Sequence, residues 1–431
     1  MTRPTSALIL VTSAVAAPLC TIAGLIPTIA GVCYAGLAAF AVVAAIDAIR
    51  LTRVTAGWEA SAPPALRWFK DREETLAISL RHVSGAAQGL RLHVTLPPEI
   101  KTRERTISAR IDGAGVVEVR CTPSARGDFT LHACDIEQRS PFHLWFGSRA
   151  LVITSAIRVY PDLRKERAAD LIRSHHFLGT HIRRQLGKGR EFEKLREYEH
   201  GDSFEDIDWK ATARRQKPVV KVFQIERTQE IYAVIDSSRL SAREGILDAY
   251  VSAALALAMT AESQHDRFGL VSFSAGVDTF IPAAGGKRHF AFCRDAIYAL
   301  QPRAVTPDLE EVFSYLHTHL RKRALIIFLT ALDDPFLADA FMKDVRVLSR
   351  RHLVMVNVPE RADVRPLFSG PLPETPDQIY TKLAGHMQWT GLRELQKTLE
   401  RKGVRLAMVN PTQLPAQLAR QYLDIKQRQL L

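Results

Sequence analysis

Apolar and polar positions change rhythm three times along this chain, and each change marks a different kind of element. From Thr5 to Ile46 no side chain is charged. That run is about twice the roughly 20 residues a helix needs to cross a bilayer, so it predicts two crossings. Pro27 removes a backbone donor and disfavours helix in the residue before it, which puts the break at Leu25 to Thr28. Helices are expected at Ser6 to Leu25 and Thr28 to Asp47. A cleaved signal peptide ending near Ala14, Val15 and Ala16 is the rival reading, and the apolar run continues well past that point.

A linker over residues 51–68, with Pro63 and Pro64 adjacent, leads into short segments of period two. Leu76 to His82, Leu90 to Val94, Thr106 to Ile111, Val116 to Cys121, Phe129 to Ile136 and Ala156 to Tyr160 read as strands bounded by turn residues. Their spacing predicts a small antiparallel β-sandwich over residues 69–162. The aromatic run from Ser140 to Phe146 is expected to plug a core or form an interface. Residues 163–228 form a basic connector, read as helical up to Lys188 and able to lie on anionic head groups, followed by a densely charged, aromatic-rich segment.

From Gln229 onward near-continuous apolar runs alternate with longer helical patterns. Strands are predicted at Ile231 to Ile235, Phe268 to Phe273, Val277 to Ile281, Ala324 to Leu329, Leu353 to Val358 and Val404 to Val409. Helices are predicted at Gly245 to Glu262, Arg288 to Leu300, Leu309 to Leu320, Phe336 to Ser349, Pro376 to Arg401 and Pro411 to Gln427. Strands buried on both faces mean a mostly parallel sheet, here an α/β doubly wound domain over residues 229–431 whose ligand site lies beyond the carboxyl ends of the strands.

Composition sharpens this only in places. A net charge of +12 fits nucleic acid or an anionic membrane surface equally well, but the apolar N-terminus argues for the membrane. Arg3 precedes the first span while Arg50 and Arg53 follow the second, so both ends and the soluble domains are expected on the cytoplasmic side. The five cysteines have neither disulfide-framework nor metal-ligand spacing. His132, His143, His175 and His176 likewise lack the spacing of a metal site.

Three strand-end loops carry chemistry: Asp236 and Ser238 in the first, Thr306 in the second, Asp333 in the third. Hydroxyls and carboxylates of this kind are the oxygen ligands that Mg²⁺ or Mn²⁺ takes. The domain resembles the von Willebrand factor A fold, whose first loop reads Asp-x-Ser-x-Ser. Here Leu240 stands at the third ligand position, and Thr330-Ala331 replaces the Thr-Asp of the third loop. The alternative is that Asp236 and Ser238 only cap the loop and the following helix.

Arg196, Tyr198, Gly201, Asp202, Asp208, Trp209 and Arg214, with Glu191, Leu195 and Val220-Lys221 around them, form a signature similar to that of the bacterial family known as domain of unknown function 58. The resemblance extends to Arg126-Gly127, Val159-Tyr160-Pro161 and Tyr422, Ile425 and Lys426; Glu205 departs from it, since the family usually carries arginine there. It implies a membrane protein of the bacterial inner membrane working with a MoxR-type AAA+ ATPase. Arg196 and Arg214 are expected to pair with Asp202, Asp206 or Asp208, and Tyr198 and Trp209 to bury area, as a brace or a partner-docking surface.

A hydrolase reading would use Ser203, which lacks the strand–elbow context and an aligned base. Gly285-Gly286-Lys287-Arg288 lacks full phosphate-loop spacing, and no nucleic-acid module is present. The expectation is a non-enzymatic, membrane-anchored interaction or adaptor protein, with a divalent-metal-dependent ligand-binding module as the alternative.

Overall fold

The computed structural model describes residues 2–26, 28–83, 87–164, 186–199, 202–224, 228–243, 245–369, 375–428 and 430, the side chains of 87–88, 186–194 and 222–224 aside. Pro27 and most of the basic connector, including His175 and His176, lie outside them. The chain divides into two compact units, Met1–Asp162 and Leu163–Leu431.

In the first unit a three-residue strand β1 (Thr2–Pro4) precedes helix α1 (Ser6–Leu25), and α2 runs over Ala30–Ala56. Thr5 caps α1 by accepting from the Leu8 amide at 3.2 Å, satisfying one of the donors a helix start leaves open. Both helices are long and apolar enough to cross a membrane, with 6% and 17% of their most apolar stretches buried within the protein. The second helix overruns its expected end at Asp47 by nine residues, because nothing in the run Ala48 to Ala56 breaks a helix.

Strands β2 (Trp58–Ser61), β4 (Glu74–His82), β6 (Ile100–Thr102) and β8 (Ala114–Pro123) form one antiparallel sheet in the order β2-β4-β8-β6. The second sheet runs β1-β10-β9-β5-β7, from β5 (Ala87–Val94), β7 (Thr106–Asp112), β9 (Gly127–Arg139) and β10 (Trp145–Tyr160), with β3 (Ala65–Phe69) parallel to β10. Their alternating apolar residues, Leu76, Ile78 and Leu80 from one sheet and Leu92, Leu131 and Ile157 from the other, meet in a single core. The expected linker is corrected here: β2 falls inside it and β3 begins in it, since Trp58 and Trp68 are buried and Pro63-Pro64 only separates two short strands.

The aromatic run joins helix to sheet. Trp145 Nε1 donates to the Ala44 carbonyl of α2 at 2.9 Å, and Asp47, wholly buried in α2, accepts from the Phe142 amide at 3.2 Å. Opposite the helix Gly147 leaves room for Leu51 and Thr55; a Cβ there would sit 2.9 Å from Thr55 Cγ2.

The second unit opens with an antiparallel pair, β11 (Leu186–Glu197) with β12 (Val219–Gln224), which embraces the short helix α3 (Trp209–Arg215). The charges of the segment masked this pair in the sequence. A six-stranded sheet follows in the order β15-β14-β13-β16-β17-β18, from β13 (Glu230–Asp236), β14 (Arg267–Phe273), β15 (Val277–Ala284), β16 (Ala324–Leu329), β17 (Leu353–Pro359) and β18 (Arg405–Val409). All pairings are parallel except the β14–β15 edge.

Helices α4 (Ile246–Ser263), α5 (Lys287–Ile297) and α9 (Leu414–Gln427) pack on one face with Ile231, Ala233 and Ile235. On the other face α6 (Leu309–His319), α7 (Pro335–Ser349) and α8 (Pro376–Arg401) pack with Tyr232 and Val234. Alternate residues of β13 thus feed two cores, which is why its sequence is apolar without interruption. Helix α4 is also long and apolar enough to span a membrane, but 67% of its apolar stretch is buried, and it is a core helix.

Candidate functional site

The parallel strands deliver their carboxyl ends to one edge of the sheet, and the residues singled out in the sequence lie on the loops there. Asp236 ends β13 fully buried. Its Oδ1 accepts from the Ser238 amide at 2.8 Å, closing a tight turn, and its Oδ2 accepts from the Thr330 hydroxyl at 2.6 Å at the end of β16. Burial raises its carboxyl above the ordinary range, against the opposing pull of the Ser238 and Thr330 hydrogen bonds. Ser238 Oγ accepts from the Leu240 amide at 3.3 Å and caps a short 3₁₀ turn, Arg239–Ser241.

The remaining two members of the proposed ligand set are held by arginines. Thr306 Oγ1 accepts from Arg239 Nε at 3.0 Å. Asp333 Oδ2 accepts from Arg243 at 2.9 Å and lies 3.4 Å from Arg361 Nη1, whose guanidinium also pairs with Asp363. Arg239 further approaches Asp334 at 3.8 Å, while Asp334 caps α7 through the Phe336 amide at 2.9 Å. Both Asp236 oxygens, the Ser238 and Thr306 hydroxyls and Asp333 Oδ2 are therefore engaged by protein donors, and guanidinium groups place positive charge beside Asp333. The expected oxygen ligands Asp236, Ser238, Thr306 and Asp333 are thus each drawn into a hydrogen bond or ion pair within the protein. Among the described residues no group of three or more His, Cys, Asp or Glu side chains could hold a metal.

The arginines are what sequence reasoning missed. Arg239, Arg243 and Arg361 carry no motif; their one signal is that Arg239 directly precedes Leu240, where the hydroxyl ligand is missing. Around them Arg239 and Arg243 remain about half exposed, and Phe336, the second residue of α7, is 86% exposed. The same edge thus combines hydrogen-bonded loops with exposed cationic and aromatic groups.

The signature segment is built differently from expectation at two residues. Arg196 pairs with Asp202 at 2.6 Å, and Asp202 also accepts from the Glu199 amide at 2.9 Å, which holds its carboxyl below the usual range. Asp208 caps α3 by accepting from Ala211 at 3.0 Å and approaches Lys221 at 3.5 Å; the backbone hydrogen bond leads in lowering its carboxyl too. Tyr198 sits against Phe204 with ring centroids 5.9 Å apart. Arg214, however, is exposed and makes no ion pair among the described residues. Trp209, expected to bury area, is 69% exposed, because α3 spans only seven residues and turns its indole to solvent. Gly201 lies outside the described residues. Ser203 precedes a 3₁₀ turn, not a strand-to-helix elbow.

The three C-terminal residues of the resemblance have a structural task. Tyr422 and Lys426 of α9 both bind Asp266 Oδ2, Lys426 at 2.7 Å, while Asp266 Oδ1 accepts from the Gln229 amide at 3.0 Å. Ile425 is buried beside them. This cluster ties the last helix to the amino ends of β13 and β14.

Residues 194–372 match the family model described as "Protein of unknown function DUF58". Uncharacterized proteins of Mycobacterium tuberculosis (strain H37Rv) and Mycobacterium bovis are 27% identical over 184 residues, 41% of this chain and 57% of theirs, so the chain spans a little over half the length of these relatives. Among solved structures, the CARDB domain of PF1109 from Pyrococcus furiosus aligns at 6% identity over 24% of this chain and 94% of its own, with a TM-score of 0.16. The SrpA adhesin from Streptococcus sanguinis aligns at 15% identity over 26% of this chain and 60% of its own, with a TM-score of 0.17. Scores this low assign no fold.

Proposed function

Since residues 194–372 place this chain in the DUF58 family of proteins of unknown function, we propose that it is a membrane-anchored, non-enzymatic adaptor whose second unit is a von Willebrand factor A-like domain working with a MoxR-type AAA+ ATPase. The fold reading is supported by a parallel sheet with one antiparallel edge strand, helices on both faces, and Asp236 at the end of the first central strand. The choice of partner is carried by the family resemblance of the signature residues.

One observation carries the interaction reading. The strand-end loops tie Asp236 to Ser238 and Thr330 by hydrogen bonds and leave Arg239, Arg243 and Phe336 exposed above them. Arginine and aromatic side chains presented in this way make up the energetic centres of protein interfaces. Exposed Trp209, Phe204 and Arg214 form a second, smaller surface of the same kind on the signature segment. Arg3, Arg50 and Arg53 flank the apolar hairpin and orient both soluble units toward the cytoplasm of a bacterial inner membrane.

The test is co-purification of the full chain with a MoxR-type ATPase of the same organism. The Arg239→Ala/Phe336→Ala double variant is expected to weaken capture at least about tenfold, as loss of an interface centre does. Undiminished capture by this variant, with capture lost in Trp209→Ala, would move the docking site to the signature segment. No capture by the unaltered protein would remove the ATPase from the proposal.

A further inference from the structure

Where α2 meets the sandwich, the first unit has an open, solvent-facing cleft of about 630 Å³, a volume within the range of small-ligand sites. One wall is apolar, from Leu51 and Val54 of α2; the other is the outward face of the second sheet, where Arg91, Arg110, Arg139 and Glu137 line it. Strand register explains the clustering. Arg91 of β5 lies opposite Glu137 of β9 and Ser108 of β7, and Arg110 stands two residues along β7 opposite Gly89. Gly89 has no side chain to cover the neighbouring guanidinium.

Three arginines against one glutamate leave the cavity with a net charge of +2. Among the described residues neither Arg91 nor Arg110 makes an ion pair, while Arg139 rests over the Phe146 ring at 5.1 Å from its centroid. Guanidinium groups without a carboxylate partner, beside an apolar wall, fit a phosphate that carries a hydrocarbon tail.

The position along α2 selects the source of that phosphate. Leu51 lies five residues beyond Ile46, where the charge-free run ends; at 1.5 Å per residue this is about 8 Å past the hydrocarbon edge, the depth of the head-group layer. We propose that this cavity binds the head group of an anionic glycerophospholipid, with Arg91, Arg110 and Arg139 on the phosphate and Leu51 and Val54 against the first carbons of the chain. The site would then fix the sandwich against the membrane surface through a lipid as well as through the hairpin.

The test uses the full chain in an uncharged detergent, titrated calorimetrically with short-chain phosphatidylglycerol, with short-chain phosphatidylcholine and with inorganic phosphate. Saturable binding of phosphatidylglycerol alone is expected. Arg91→Gln/Arg110→Gln should weaken it about tenfold for each arginine removed, the loss that accompanies one charge-assisted hydrogen bond. Glu137→Gln should tighten it, an effect of opposite sign that misfolding cannot produce, and Arg105→Gln, outside the cavity, should change nothing. Equal binding of phosphatidylcholine, or of inorganic phosphate, would overturn the proposal, as would an unchanged affinity in the double arginine variant.

The proposal rests on the hairpin crossing a membrane, so alkaline extraction of membranes is run alongside. Release of the protein into the soluble fraction would overturn both readings. Retention without any phosphatidylglycerol preference would overturn the lipid site and leave the anchor standing.

Discussion

Thr330 donates its hydroxyl to Asp236 Oδ2 at 2.6 Å across 94 residues of sequence, joining the carboxyl ends of the two central strands. That contact, with the Ser238 amide on Oδ1, engages both oxygens of the carboxylate. The loop edge is consequently a finished hydrogen-bonded surface.

Asp236→Asn is expected to fold normally, because an amide preserves the acceptor for Ser238 and can donate to Thr330. Burial raises the native carboxyl above its unfolded value, so the folded state holds the proton more tightly and stability falls as pH rises through that window. Chemical denaturation repeated as the pH is raised from the ordinary carboxylate range should show this slope, at most about 1.4 kcal/mol per pH unit. In the variant it should flatten. Calorimetric titration of the unaltered protein with Mg²⁺ should give no binding heat.

Gly147→Ala should damage the junction of α2 with the sandwich. Its added carbon would lie 2.9 Å from Thr55 Cγ2 and 3.0 Å from Leu51 Cγ. Overpacking of this kind costs about 1–3 kcal/mol, read as a lower thermal midpoint of the full chain in detergent. An unchanged midpoint would show that the junction yields.

His352 is buried with neither ring nitrogen hydrogen-bonded among the described residues, and burial, then Arg351 and His317, lower its pKa from 6.5 to about 4. The unfolded chain therefore takes up the proton first. Stability should fall as pH drops from 6.5 to about 4 and level off below. His352→Gln should lose that acid-sensitive component, seen as a smaller difference between denaturation midpoints at the two ends of the window.

Asp266→Ala is expected to destabilise the second unit by about 2–4 kcal/mol, because it leaves the buried Tyr422 hydroxyl without its acceptor and Lys426 with only the Gln264 carbonyl. Tyr422→Phe removes only one partner and should cost about 1.5–3 kcal/mol. Equal losses in urea unfolding would contradict the shared-acceptor geometry.

The regular elements were legible because their periodicity is local. The run Ala324–Leu329 is apolar without interruption and is strand β16 as expected, while Pro376–Arg401 is helical over its whole predicted length. The pair β11–β12 was hidden, since charged residues fill most of Leu186–Glu197 and leave no clear apolar alternation to read. Trp58 and Trp68 were lost in an apparent linker for a related reason: two strands of four and five residues are too short to display a period.

The sequence by itself determined the apolar hairpin, most of the sandwich strands, the alternation of strands and helices after Gln229, and the arrival of Asp236 and Asp333 after strands and of Thr306 before a helix, because each follows from residue order over a few turns or strand lengths. Only the tertiary structure decided what those end groups do. Pairing between residues far apart put Thr330 on Asp236, Arg239 on Thr306, and Arg243 and Arg361 on Asp333. Strand register likewise gathered Arg91, Arg110 and Arg139 from three strands around one cavity. Charge pairing and cavity shape depend on distance in space, and neither is written in the spacing of residues along the chain.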